Sequence, residues 1–429
     1  MPMSASYILA KFADSTARVR TVDQLLQAVT DQGVSTIVVE GFLSDVPAIR
    51  LSPQQTILGR SPDTSGLKFL DGADGIELSS DNTVSSLTVV TSAARLAIWN
   101  NESVTGFGTL AIDQVRTAGR VRIFARDRIK SGRVEVRGLD IVAADARGAT
   151  ERPHGYGVFV LQGAFTLWNL QPDPEVKITA NISGLSVGTR NAPVLGSGVF
   201  VAGQASNGGC LQVERLETGA IYCDGGIKAG TPDQIAGGVF VLDGAIADLV
   251  ENRGPVTTFG ANDMALDNWG FVDRWHALDK ITTLGPSGIG FANFGVTRTL
   301  ELEAPIETFG QGARGFNIYA GTVHTATFDR IVTHADGAVG IQISQPAGSI
   351  RVHRGIETHG GAGPSLVKGV IQQLSAIALS IKTGADVETI KITGGLKTHD
   401  PQALPLELLG SVGNLSIDGG CVVECDSFK

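Results

Sequence analysis

Ten consecutive residues, Asp267 to His276, carry two carboxylates, a guanidinium and an imidazole: Asp267, Asp273, Arg274 and His276. Such a set supplies an acid, a base and a charge clamp, and Trp269 among them offers a ring for stacking. A second set, Glu151, Arg152, His154 and Tyr156, falls within the segment 145–156. An acid–base pair of this kind suits glycosidic cleavage or proton abstraction beside a uronate. Rings recur at Trp269, Phe294 and Tyr319 in steps of 25, with Arg314 and Asn317 close by in sequence. Catalytic roles are therefore expected of Asp267, Asp273, Arg274, His276, Glu151 and His154. Substrate contacts are expected of Trp269, Phe294, Tyr319, Arg314, Asn317, Arg152 and Tyr156. Each group also has a plainer reading: Asp273 and Arg274 as a turn ion pair, 145–156 as a polar surface loop, the rings as a subunit interface or a floor under loops.

The rings must be positioned by a repeat. Val256, Ile281, Ile306, Ile331 and Ile356 open similar segments at steps of 25, and Leu396 follows 40 later. Thr258, Thr283, Thr308, Thr333, Thr358 and Thr398 share one position in them. Two further columns run through MALDNW, IGFANF, RGFNIY and VGIQIS, and through TLELE, ATFDR, SIRVH and TIKIT. Three short alternating strands per coil predict an all-β solenoid, a right-handed single-stranded parallel β-helix. Residues 21–32 read as a short amphipathic helix, giving an arm and capping helix over 1–33 and the β-helix over 34–429.

Alternation places Met264, Leu266, Ile289, Phe291 and Phe316 in the core. It leaves Phe159, Phe200 and Phe240 outward at one shared position, with Gly290, Gly315 and Gly340 making room on the same outer face. Residues 179–197, 219–237 and 360–375 are expected to leave one corner as long loops, joined by 137–157. Loops grouped on one side of a repeat protein often mark its binding face.

The helix followed by TIVVEG, with TILGRSPDTSGLKFL and GIELSSDNTVSSLTVV after it, resembles the cap and early coils of the pectate-lyase-like (pectin-lyase-like) superfamily. The wording is similar over about residues 20–95, and the remainder only in architecture. The resemblance implies a carbohydrate-active enzyme, a hydrolase, lyase or epimerase working on an oligo- or polysaccharide in an outer groove. The superfamily also implies an alternative, a non-catalytic glycan-binding or structural β-helix, since fold alone does not choose a function. No carboxylate cluster of the Ca²⁺-binding kind is evident. Arg128-Ile129-Lys130 lies upstream of His154-Gly155 and His359-Gly360, the reverse of the polygalacturonase order.

The chain has 429 residues, 55 of them Gly, with a net charge of −9. The acidic balance gives no footprint for nucleic acid, and no apolar stretch has the length of a membrane span. Neither a signal peptide nor a transmembrane segment is evident, so a cytoplasmic location is expected, with leaderless export as the alternative. The four cysteines read as small core residues. His334, His359 and His399 share a column with apolar residues and read as a packed stack, so no metal is expected. Nucleotide and zinc signatures are missing, so no cofactor is expected. The outer aromatic strip is long enough to support a homo-oligomer if loops leave it bare.

Overall fold

The computed structural model describes residues 15–423 apart from Ser206 and Lys368. The chain folds as a parallel β-solenoid with long sheets of stacked strands. One end is covered by the helix α1 (Val22–Thr30), whose N-cap Thr21 accepts a hydrogen bond from the Gln24 N–H. Leu25, Ala28 and Val29 point down from it onto the first coils.

The threonine register holds throughout. Thr258 pairs with Thr283, Thr283 with Thr308, Thr308 with Thr333, Thr333 with Thr358 and Thr358 with Thr398. All six are buried. The neighbouring valines and isoleucines fill the interior with β-branched side chains stacked on their own kind, a packing well suited to a pleated surface. Two more strand columns complete each coil. One runs through Phe271–Ala277, Val296–Leu302 and Thr322–Phe328. The other runs through Asp263–Asn268, Ile289–Asn293, Arg314–Ile318 and Val339–Ile343, and its outer side carries the aromatic rings.

Three expectations need correction. Residues 137–143, 179–187, 219–224 and 234–237 are not loop, because they belong to the strands Ser131–Ala143, Lys177–Val187, Cys210–Asp224 and Gln234–Val241. Phe159 does not stack in one column with Phe200 and Phe240. Phe200 pairs with Thr166 and Phe240, whereas Phe159 pairs with Gln234 in a separate outer layer. Gly290, Gly315 and Gly340 face inward, not outward. A Cβ on them would stand 2.4, 2.3 and 2.4 Å from the Cγ2 atoms of Ile306, Ile331 and Ile356. Gly290 and Phe291 both turn into the core, as do Ala265 and Leu266 one coil earlier, so Met264 and Ile289 are displaced to the outer side and join the outer apolar cluster.

Among the cysteines, Cys223 is buried, Cys210 half-buried and Cys421 exposed, so only the first fits a core role. Cys425 lies outside the described residues. No helix among the described residues is long and apolar enough to cross a membrane.

Candidate functional site

The outer aromatic strip is roofed by the chain itself. Residues His154–Gly155 and Val158–Val160 form a small antiparallel hairpin, and Val160 pairs onward with Ile235 from the next corner. This layer lies over Phe200, Phe240 and Trp269, which are all under 5% exposed. Tyr156 at its tip meets Trp269 edge-on at 5.0 Å and Phe294 at 4.7 Å, and its hydroxyl donates to the Phe294 carbonyl at 3.3 Å. Gly155 permits this approach, because a Cβ there would stand 2.5 Å from the Trp269 ring. Over Phe200, Phe240 and Trp269 the strip is thus neither an open groove nor a bare surface, whereas Phe294 and Tyr319 stay half-buried beyond the hairpin.

The roof leaves two openings. The first is a cleft of about 390 Å³ bordered by the edges of Trp168 and Trp269, with Glu151, His154 and Asp243 facing it. Asp243 is half-buried at the corner turn after the Gln234–Val241 strand. Burial raises its carboxyl above the usual range, and it has no ion pair among the described residues. Glu151 is displaced the other way. Burial would raise it, but hydrogen bonds from its own backbone, from Arg126 and from Thr150 outweigh this and hold it below the usual range. Arg126 reaches it with two nitrogens, each at 3.1 Å, while also bridging to Glu102. Arg152 borders the cleft as well, but its guanidinium is held by the carbonyls of Ala149 and Arg147 at 3.1 and 2.6 Å. His154 meets the Phe159 ring at a tilt of 46°, with the ring centres 4.5 Å apart. The cleft therefore holds one carboxyl whose proton affinity burial raises and one whose proton affinity its hydrogen bonds lower.

The second opening is a cavity of about 360 Å³ on the other side of Tyr156. Corners distant in sequence meet here: Tyr156, Pro232 and Leu366 come from three different insertions, and Phe294, Arg314 and Tyr319 from the strip. Phe294 and Tyr319 stack at 5.0 Å with an interplanar angle of 15°.

The run from Asp267 to His276 does not converge. The chain turns a corner at Gly270, so Asp267 and Trp269 stay on the aromatic side while the rest joins the Phe271–Ala277 strand on another face. There Arg274 pairs with Glu301 at 2.6 Å, Asp273 with Arg298 at 3.3 Å and His276 with Glu303 at 2.7 Å. The two arginine–carboxylate contacts are cross-coil surface ion pairs, each worth about 0–1 kcal/mol, and the histidine contact is a hydrogen bond across the same coils. Asp267 is fully buried, accepts a hydrogen bond from the Trp269 indole at 3.0 Å, and is pushed well above its ordinary range by burial. Its second oxygen has no partner. It lies beneath the roof, out of reach of a substrate, because the hairpin closes over its outward position. Asn268 and Asn293 do not bond strongly to each other, at 3.5 Å, but share the Thr297 hydroxyl between them at 2.8 Å each.

The imidazole stack is present: Phe309, His334, His359 and His399 lie ring over ring with interplanar angles of 8–13°. Glu357, His359 and His399 bring potential ligand atoms close together. Parallel rings 4.1 Å apart direct their in-plane lone pairs along parallel lines, which does not suit a shared ion needing nitrogens at about 2.0–2.1 Å. Glu357 is engaged instead by His399 at 2.7 Å and by Arg330.

Asp243 escaped sequence reasoning. Asp-Gly after a strand is an ordinary turn signal, and the only hint was its place after GVFVL, where the preceding coil has GVFVAGQ. Compared with protein-family models, with curated proteins and with solved structures, the chain gives no match.

Proposed function

We propose that the protein is a carbohydrate-active enzyme that cleaves a glycosidic bond in the cleft between Trp168 and Trp269, with Asp243 as general acid and Glu151 as general base. The observation that supports this reading is the pair of carboxyls facing one cleft with oppositely displaced proton affinities. The half-buried Asp243 carries the proton for the leaving oxygen. Glu151, kept ionised by Arg126, activates the water or attacks directly, as in the two-carboxylate scheme of glycoside hydrolysis. The likeness of the N-terminal coils to the pectate-lyase-like superfamily supports the same class of substrate. His154 and Arg152 flank the cleft as further polar contacts.

The test is turnover of a glycan panel by wild type, Asp243→Asn and Glu151→Gln, each checked for intact folding by circular dichroism. Removing a general acid or base lowers the rate by about 10²–10⁴-fold. Activity requires Glu151 ionised and Asp243 protonated, so it rises as pH climbs through the Glu151 value and is lost as pH climbs through the Asp243 value. An acidic optimum is expected. Wild-type rates in both variants would overturn the assignment, and a panel that wild type does not turn over would favour the non-catalytic glycan-binding alternative.

A further inference from the structure

The cavity beside Tyr156 has a different character from the cleft. Ile235, Met264, Ile289 and Leu366 line it together with the rings of Phe294 and Tyr319, and none of its lining side chains is a carboxylate. Arg314 forms part of this lining although its side chain is 0% exposed to bulk solvent. One of its terminal nitrogens donates to the Ser365 hydroxyl at 3.0 Å and the other reaches the Gly312 carbonyl at 3.4 Å. Its Nε has no partner, and no carboxylate pairs with it among the described residues. Its Cζ stands 5.9 Å from the Tyr319 ring centre. Asn317 lies three residues further on the same strand, outward like Arg314, fully buried, with neither its amide nitrogen nor its amide oxygen hydrogen-bonded.

A guanidinium does not shed its proton in a protein. Buried without a counter-charge it is costly, and a buried amide with both ends unsatisfied adds to that cost. The two lie on one strand, and of them Arg314 lines the cavity. What would satisfy the guanidinium is an anion with two coplanar oxygens, which it binds through parallel hydrogen bonds. The remaining walls are mostly aliphatic and aromatic, with Gln234, Asn262 and Ser287 as their polar members, and suit an apolar body.

We infer that this cavity is a binding site for a small amphiphilic carboxylate, its carboxylate held by Arg314 and its flat apolar body packed among Phe294, Tyr319, Ile289 and Leu366. The site is separate from the cleft and does not depend on the chemistry proposed there. A merely structural Arg314, tying the hairpin at Ser365 to the coil, would not distinguish a carboxylate from its amide.

The experiment is calorimetric titration of the full-length protein with phenylacetate, 3-phenylpropionate and 1-naphthylacetate, each against its neutral amide. At least one acid is expected to bind with a Kd below about 1 mM and its amide about tenfold or more weaker. Arg314→Met removes the binding. Ser365→Asp, which supplies an internal carboxylate where the hydroxyl now accepts from the guanidinium at 3.0 Å, removes it too, and serves where Arg314→Met fails to fold. No binding by any of the three acids, equal binding of acid and amide, or unchanged affinity in a folded Ser365→Asp protein would overturn the inference.

Discussion

Single carboxyls on the aromatic side behave according to what covers them. Asp263 accepts backbone hydrogen bonds from Gly260 at 2.8 Å and Gly225 at 3.2 Å, yet burial still pushes it up to about 7. Between its unfolded value near 4 and about 7, the folded chain binds a proton that the unfolded chain releases, so stability falls as pH rises through that window. The loss is on the order of 1–4 kcal/mol. Asp263→Asn retains an acceptor oxygen for both backbone N–H groups and removes the titration. Thermal melting from pH 4 to 8 should show wild type losing stability relative to the variant; parallel curves would contradict this. The same physics explains why Asp267 was misjudged. Its sequence neighbourhood is rich in chemistry, but the register gives no sign that a hairpin from residues 154–160 lies above it. Asp243, by contrast, has a plain sequence context and becomes notable only because the roof stops short of it.

The elements that roof the strip are short and depend on one close contact. Gly155 lies against the Trp269 ring, and Tyr156 follows at a positive φ of 52° before Gly157 at 87°. Replacing Gly155 by Val places a branched side chain where only a hydrogen fits, so the hairpin must lift. Overpacking of this kind costs about 1–3 kcal/mol. Acrylamide quenching of tryptophan fluorescence should increase in Gly155→Val, as Trp269 becomes accessible; unchanged quenching would show that the hairpin is not the cover. The threonine column was legible in the sequence because each residue in it meets a copy of itself, so period and contact coincide. The outer layer was not, because Phe159 belongs to a GVFV phrase like those of Phe200 and Phe240 and yet pairs outside their column. The inward glycines were misread because two successive residues, Gly290 and Phe291, both face the core, which strict alternation forbids.

At the scale of the whole molecule the two ends differ. The helix α1 covers the first coils, while towards the other end Leu404, Leu408, Leu409 and Val422 are exposed. In a solenoid each coil is held by its neighbours alone, so protection should fall towards the exposed end. Hydrogen exchange is expected to be fastest in strands 406–408, 411–417 and 421–423 and slowest in the middle coils, and a uniform profile would contradict nearest-neighbour stability. The stack also turns sequence into an address: the remainder within a coil sets the face, and the number of coils passed sets the height. Tyr156 and Leu366 stand at one cavity although nearly half the chain separates them. Their meeting depends on how many coils lie between and how far each insertion reaches back. One coil more or fewer between them would move the later hairpin by about 4.8 Å, enough to part it from Tyr156. The cavity is in this sense a vernier on the solenoid, closing only when the count is right.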